Sequence, residues 1–164
     1  MLIKTKKGGE SLMIYIAYGS NLNKRQMSKR CPNATPLGKM YLPDYKLVFR
    51  GVADIEESKG DYVPVGLWSV TSHCIKALDR YEGVPRLYSR VYLEDIGFTY
   101  MMNSRDYYSS PMLAYLESIE EGYNDFGFGD TDLEKLVDLS QQNGSVFGDD
   151  SDLTIGTGHY WYLK

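Results

Sequence analysis

A strand that runs into a glycine turn and leaves it as a helix restricts the fold that can be built around it. Residues 13–17, MIYIA, form a short apolar run with the β-formers Ile14, Tyr15 and Ile16. Tyr18-Gly19-Ser20-Asn21 follows, and then a stretch to Arg30 in which charged and apolar residues alternate at helical spacing. Gly19 lets the backbone turn sharply and lets another atom come close. Ser20 and Asn21 are both favoured at a helix N-cap. A junction of this kind aims several backbone N–H groups at one point, with a helix N-terminus behind them, and such a point holds an anion well. The same four residues also make an ordinary strand-to-helix turn, and the segment alone does not separate the two.

The pattern along the rest of the chain predicts one domain with more strands than helices. Residues 1–12 lack periodicity and contain Gly8-Gly9, so they read as an N-terminal extension; the ordered domain is expected from Met13, a second candidate start, to Lys164. After a strand over Met13–Tyr18 comes a helix over Asn21–Arg30, stopped before Cys31-Pro32. Strands follow within Met40–Arg50, around Tyr45–Phe49, and at Gly51–Ile55 and Val63–Val70; the last two are separated by an expected turn at Ser58-Lys59-Gly60-Asp61. Thr71 or Ser72 caps a helix that reaches Tyr81, with Ile75, Leu78 and Tyr81 toward the core, and Glu82-Gly83 and Pro85 end it. Leu87–Leu93 and Phe98–Met102 read as a hairpin. Pro111 opens a further helix, expected to stop at Gly122, and Asp132–Gln142 is amphipathic with Asp130 or Thr131 as its cap. The aromatic tail Asp152–Lys164 is a candidate final strand. Short hairpins mixed with helical crossovers imply an α+β fold: a mixed sheet, curled or closed into a barrel, with helices outside.

Composition excludes several kinds of function. A net charge of −4 on 164 residues argues against a general nucleic-acid binder. Lys24, Arg25, Lys29 and Arg30 form a local basic cluster, which reads as a solvated helix face. No apolar run reaches the roughly 20 residues of a membrane span, and the basic first dozen residues lack the apolar core of a signal peptide. The two cysteines, Cys31 and Cys74, make no CxxC pair and point to a reducing, cytoplasmic setting. His73 and His159 stand in no metal-ligand spacing, so no metal and no cofactor is expected. Neither GxxxxGK[ST] nor GxGxxG is present.

A second constellation is Leu78-Asp79-Arg80-Tyr81-Glu82-Gly83-Val84-Pro85, followed by Tyr88 and Arg90. Glu82 falls at a helix C-terminus, the negative end of the dipole, where a carboxylate is an unusual choice. That position raises its pKa, the more so if Tyr81 and Tyr88 exclude water, and a carboxylate so tuned suits a general base. The plain alternative is an exposed Glu in a Glu-Gly turn.

Taken together, the YGSN turn, the LDRYEGVP segment and a third stretch, Pro111–Tyr115 with Glu121–Phe128, resemble the γ-glutamylcyclotransferase-like family (AIG2-like and γ-glutamylamine cyclotransferase relatives) in order and spacing. The resemblance spans about Met13 to Leu139; residues 140–164 and 1–12 lie outside it. It implies a small barrel-like mixed sheet and a metal-independent reaction in which the α-amine of a γ-glutamyl group attacks its own γ-carbonyl. The products are 5-oxoproline and a free amine or amino acid. Carried over residue by residue, Tyr18, Gly19, Ser20, Asn21 and Leu22 would grip the glutamyl end of a small-molecule substrate. Glu82 would be the general acid/base, and Tyr115 would contact substrate from the opposite wall. Asp106-Tyr107-Tyr108 and the residues before Pro111 would border the pocket. A different class remains open: a catalytically silent module that binds a small molecule or peptide end in the same pocket. Glu82 favours the enzyme, because a pure binder gains little from a carboxylate at a helix C-terminus. The identity of the γ-glutamyl compound and the oligomeric state are left open by the sequence.

Overall fold

The computed structural model describes residues 6–7 and 9–142. The strand expected within Asp152–Lys164 therefore lies outside the described residues. A two-residue ladder pairs β1 (Lys6–Lys7) with β2 (Glu10–Ser11) ahead of the main sheet. That sheet contains β3 (Met13–Ala17), β4 (Thr35–Phe49), β5 (Ala53–Val70), β6 (Tyr88–Leu93) and β7 (Gly97–Met102), in the order β4-β5-β3-β7-β6. It is mixed, as expected: β3 and β7 run parallel and the other neighbours antiparallel. It is not closed, since β4 and β6 lie at opposite edges. The helices are α1 (Lys24–Arg30), α2 (Ser72–Glu82), α3 (Leu113–Phe126) and α4 (Asp130–Gln141).

β3 is the central strand. It is hydrogen-bonded to β5 on one side and β7 on the other, and Ile16 and Ala17 are fully buried. Its C-terminal end therefore delivers Tyr18 and Gly19 into the middle of the molecule rather than to a surface. The helix expected over Asn21–Arg30 divides in two there. Ser20–Leu22 form one 3-10 turn, and α1 begins only after Asn23, whose side chain accepts the Gln26 N–H at 3.0 Å. Asn23 is thus the N-cap, and the two candidates before it are left free to serve the turn.

The Ser58–Asp61 segment does not reverse the chain. β5 runs unbroken through it, and the hairpin turn is at residues 50–52. Its turn chemistry builds a bulge instead: the register with β4 shifts between Pro43 and Tyr45, Asp44 and Gly60 take φ of 62° and 88°, and the Gly60 N–H donates to Asp44 Oδ1 at 2.9 Å. α2 is capped by Thr71, whose hydroxyl accepts the Cys74 N–H at 3.2 Å, and closes on Gly83 in the left-handed region at φ 66°. β6 and β7 form the expected hairpin.

Helix α3 starts two residues after Pro111 and passes through Gly122, stopping at Gly127 with φ 71°. Gly122 is there for packing. A Cβ at that position would lie 2.5 Å from Leu22 Cβ and 2.8 Å from the Asn23 nitrogen, so glycine lets α3 seat against the 3-10 turn. α4 begins at Asp130 with Gly129 at its N-cap and no side-chain cap, rather than with the Asp130 or Thr131 cap expected. Among the described residues no helix is long and apolar enough to cross a membrane.

Candidate active site

The 3-10 turn is clamped from four sides. Beneath it, Trp68 of β5 donates its indole N–H to the Asn21 carbonyl at 3.1 Å. On the α3 side, Asn23 donates to the Ser118 carbonyl at 3.2 Å and to Glu121 Oε2 at 2.6 Å. From α1, the Arg30 guanidinium donates to Asn21 Oδ1 at 2.6 Å and to Ser20 Oγ at 3.3 Å. Toward α2, Asn21 Nδ2 donates to Glu82 Oε1 at 2.9 Å. Asn21 and Ser20 are buried as a result. The turn's first internal hydrogen bond runs from the Leu22 N–H to the Gly19 carbonyl at 3.0 Å, so the N–H groups of Ser20 and Asn21 precede it.

Beside the turn is a pocket of about 330 Å³, measured out to solvent. The turn residues Tyr18, Gly19, Ser20 and Asn21 line it together with Glu82, Ala53, Tyr88 and Tyr115, and Gly19 lies directly against Ala53, 3.2 Å from whose Cβ a glycine-to-alanine Cβ would stand. Tyr15, Tyr81 and Tyr100 complete the lining, so six of the chain's 15 tyrosines face one space. They arrive from five elements or their ends. The Tyr115 hydroxyl accepts the Ala53 N–H at 3.1 Å, while the Tyr88 hydroxyl donates to the Ala53 carbonyl at 3.0 Å. The Tyr18 hydroxyl donates to the Tyr100 carbonyl at 2.5 Å, and the Tyr100 hydroxyl to Asp79 Oδ1 at 2.7 Å. A Cβ on Gly19 would stand 3.1 Å from the Tyr115 oxygen, which is why this wall of the pocket suits a glycine.

Glu82 is the last residue of α2. Burial pushes its carboxyl up to about 7, from an ordinary 4.5, against the pull of Arg30 and the Asn21 amide in the other direction. A half-ionised carboxylate at neutral pH can both take and return a proton. The surrounding phenols cannot compete as bases. Burial first, and then the charge on Glu82, hold Tyr15 and Tyr115 above the ordinary tyrosine value, and burial with Asp54 and Glu82 does the same for Tyr18.

Of the residues expected from sequence, Tyr18, Gly19, Ser20, Asn21, Glu82 and Tyr115 come together at this pocket. Leu22 does not line it. Its fully buried side chain packs in the core, close to Gly66 and Gly122. Asp106-Tyr107-Tyr108 and the residues before Pro111 do not line the pocket either; the Tyr107 carbonyl accepts from Arg50, the Tyr108 hydroxyl donates to Glu56 at 2.9 Å, and the Ser109 carbonyl accepts the Gly51 N–H at 2.8 Å. The sequence reading missed Arg30, set down as part of a solvated face, and the tyrosines at positions 15 and 100. Only the abundance of tyrosine hinted at the latter.

The family model described as Gamma-glutamyl cyclotransferase, AIG2-like, matches residues 15–123. A γ-glutamylcyclotransferase from Bos taurus is 36% identical in an alignment of 88 residues that covers 46% of this chain and 46% of the bovine one, so the match spans about half the length of that relative. Among solved structures, a γ-glutamyl cyclotransferase superposes with a TM-score of 0.66 at 25% identity, covering 77% of this chain and 86% of its own. YkqA from Bacillus subtilis shares the fold with a TM-score of 0.70 at 21% identity, over 81% of this chain and 55% of its own. The matched segment takes in every lining residue from Tyr15 to Tyr115, and on that ground the chain belongs to the γ-glutamyl cyclotransferase, AIG2-like family.

Proposed function

We propose that the protein cyclises a γ-glutamyl compound, releasing 5-oxoproline and a free amine, with Glu82 as the proton relay. The observation that carries this reading is a carboxyl tuned to about 7, hydrogen-bonded to the Asn21 amide and lining the same pocket as the turn residues Tyr18, Gly19, Ser20 and Asn21. In the proposed reaction the substrate's α-ammonium gives one proton to the Glu82 carboxylate. The freed amine then attacks the γ-carbonyl carbon of the same residue. The N–C bond forms, and the carbonyl oxygen takes up negative charge. The α-nitrogen sheds a second proton as the ring closes. The leaving nitrogen takes one proton from Glu82, the oxyanion collapses to the ring carbonyl as the bond from that nitrogen to carbon breaks, and the freed amine takes the second proton through Glu82. Glu82 ends as it began, and no water is consumed. A relay whose pKa lies near neutral loses little driving force in either direction.

Holding one conformer of a flexible glutamyl chain supplies much of the acceleration for a five-membered ring closure. A pocket walled by Tyr18, Tyr88 and Tyr115 is suited to that task. The N–H groups of the turn would hold the glutamyl carboxylate or the developing oxyanion. The test is 5-oxoproline release from a panel of γ-glutamyl amino acids and γ-glutamylamines, alongside Glu82→Gln. Release by the wild type that the variant lacks supports the reading. Tight binding without release by either protein would replace it with a binding module.

A further inference from the structure

Arg30 is the last residue of α1, and its guanidinium makes more contacts than a solvated helix end requires. One nitrogen donates to Asn21 Oδ1 at 2.6 Å and Ser20 Oγ at 3.3 Å. The other donates to Gln26 Oε1 at 2.6 Å and to the Tyr81 hydroxyl at 2.5 Å. The guanidinium carbon also stands 3.7 Å from the centre of the Tyr81 ring. Arg30 thus bridges the turn on one side of the pocket and the residue next to Glu82 on the other.

A carboxamide can face its neighbours in two ways, and the donor inventory chooses between them. Arginine offers donors only, so the Asn21 oxygen must turn toward it. The Nδ2 group then faces away, where it donates to Glu82 Oε1 at 2.9 Å and to the Tyr15 hydroxyl at 2.9 Å. The flipped amide would put two donors against each other at Arg30 and two acceptors against each other at an ionised Glu82. It would be tolerated at Glu82 only when that carboxyl carried a proton. We propose that Arg30 is a positioning residue which, by fixing the orientation of the Asn21 amide, keeps a hydrogen-bond donor on the Glu82 carboxylate. Its importance for turnover rests on the reading of Glu82 as the relay; the geometry of the amide does not.

Among the described residues, Arg30 is the cation that acts on the Glu82 titration. Asn21 faces it from the turn, Tyr15 from β3, Tyr18 from just beyond it, Tyr81 from α2 itself, Tyr100 from β7 and Tyr115 from α3, all of them uncharged at neutral pH. Burial raises the Glu82 carboxyl, and Arg30 and Asn21 are the two groups that pull it back. The charge of Arg30 acts on that titration directly, so the Asn21 side-chain signals are what separate its hold on the amide from its charge.

The experiment follows the Glu82 carboxyl directly by carbon-13 NMR across pH, with Glu82→Gln supplying the assignment, in the wild type, Arg30→Gln and Arg30→Lys. The Asn21 side-chain amide signals are recorded on the same samples. Removing the charge in Arg30→Gln should raise the Glu82 midpoint by about one pH unit, the scale of losing a nearby opposite charge. Lysine keeps a charge but lacks the fork that reaches Asn21 and Tyr81 together. Arg30→Lys should therefore show a smaller rise with the Asn21 signals displaced. If Arg30→Gln does not fold, the lysine variant carries the test. Unmoved Asn21 signals in a folded variant would overturn the proposal, whatever the Glu82 midpoint does. No substrate enters this titration, so absence of 5-oxoproline release would remove the proposed function and leave the inference about Arg30 standing. Where release is found, the acidic limb of kcat/KM should move to higher pH by the same amount.

Discussion

Glu56 on β5 and Glu82 at the end of α2 are surrounded in opposite ways. Burial pushes both carboxyls up, but Glu56 nonetheless titrates below the ordinary value because Lys46, Tyr108 and Arg50 all donate to it. Those contacts measure 3.0 Å from Lys46 and 2.9 Å from Tyr108 at one oxygen, and 2.7 Å from Arg50 at the other. Arg50 also donates to Asp54 at 3.0 Å, and Asp54 accepts the Met102 N–H at 3.0 Å, so this cluster ties β4, β5 and β7 together. Among the described residues Glu82 has the single Asn21 amide at 2.9 Å, with tyrosines around it, and its carboxyl is pushed up to about 7. A carboxylate with its lone pairs occupied by cations is a fastening. One left short of donors beside a pocket keeps the basicity that proton transfer needs.

The contrast is broken most directly at Glu82. Glu82→Gln should keep the fold, because the two side chains have nearly the same shape, and should lower turnover by about 10²–10⁴, the usual cost of removing a general base. Assays of 5-oxoproline release with a melting curve on the same sample check this. Wild-type turnover in the variant would make Glu82 a fastening as well. Arg50→Met should do the reverse. It takes the close partner from the fully buried Asp54 carboxylate, leaving it the Met102 N–H and Arg105 at 3.9 Å, and breaking a buried pair from one side costs about 3–5 kcal/mol. Urea unfolding should show that loss, while the molecules still folded turn over normally; a change below about 1 kcal/mol would mean that the cluster contributes little.

A pair of hydroxyl deletions sharpens the comparison at smaller scale. Tyr115→Phe removes the acceptor for the Ala53 N–H in the pocket wall, and should raise KM more than it lowers kcat. Tyr108→Phe removes one donor to Glu56 and should cost about 1 kcal/mol of stability with KM unchanged. Steady-state kinetics on both variants separate the cases, and a Tyr115→Phe defect confined to kcat would give that hydroxyl a part in the transition state.

The smallest expected effect is the difference in pH dependence. The folded-state pKa of Glu82 lies above its unfolded value, so its contribution to stability is complete below about 4.5 and is lost as pH rises through about 7. Relative to the wild type, Glu82→Gln should gain melting temperature over that interval and level off above it. The folded-state pKa of Glu56 is lowered, so its contribution is present above the ordinary carboxylate value and is lost as pH falls through the folded one. Glu56→Gln should therefore lose most at neutral pH and converge on the wild type in acid. Parallel pH profiles for the two variants would contradict the assigned shifts.

The features legible in the sequence are those whose causes lie within a few residues. Thr71 and Gly83 bound α2 through local capping, which puts Glu82 at its end; the β6–β7 hairpin follows from alternation, and Tyr18-Gly19-Ser20-Asn21 announces a turn after a buried strand. Gly122 and the Ser58–Asp61 segment were misread by the same local rules. At Gly122 the deciding neighbour is Leu22, and at Gly60 it is Asp44 across the hairpin. The open sheet, the gathering of six tyrosines and the inward turn of Arg30 depended likewise on partners remote along the chain, Tyr81 lying 51 residues beyond Arg30. Propensity and capping act over one or two turns of backbone, so they place a carboxylate at a helix end. Whether that carboxylate is neutralised by cations or left basic depends on which donors the packed fold brings within 3 Å, and no local pattern encodes that.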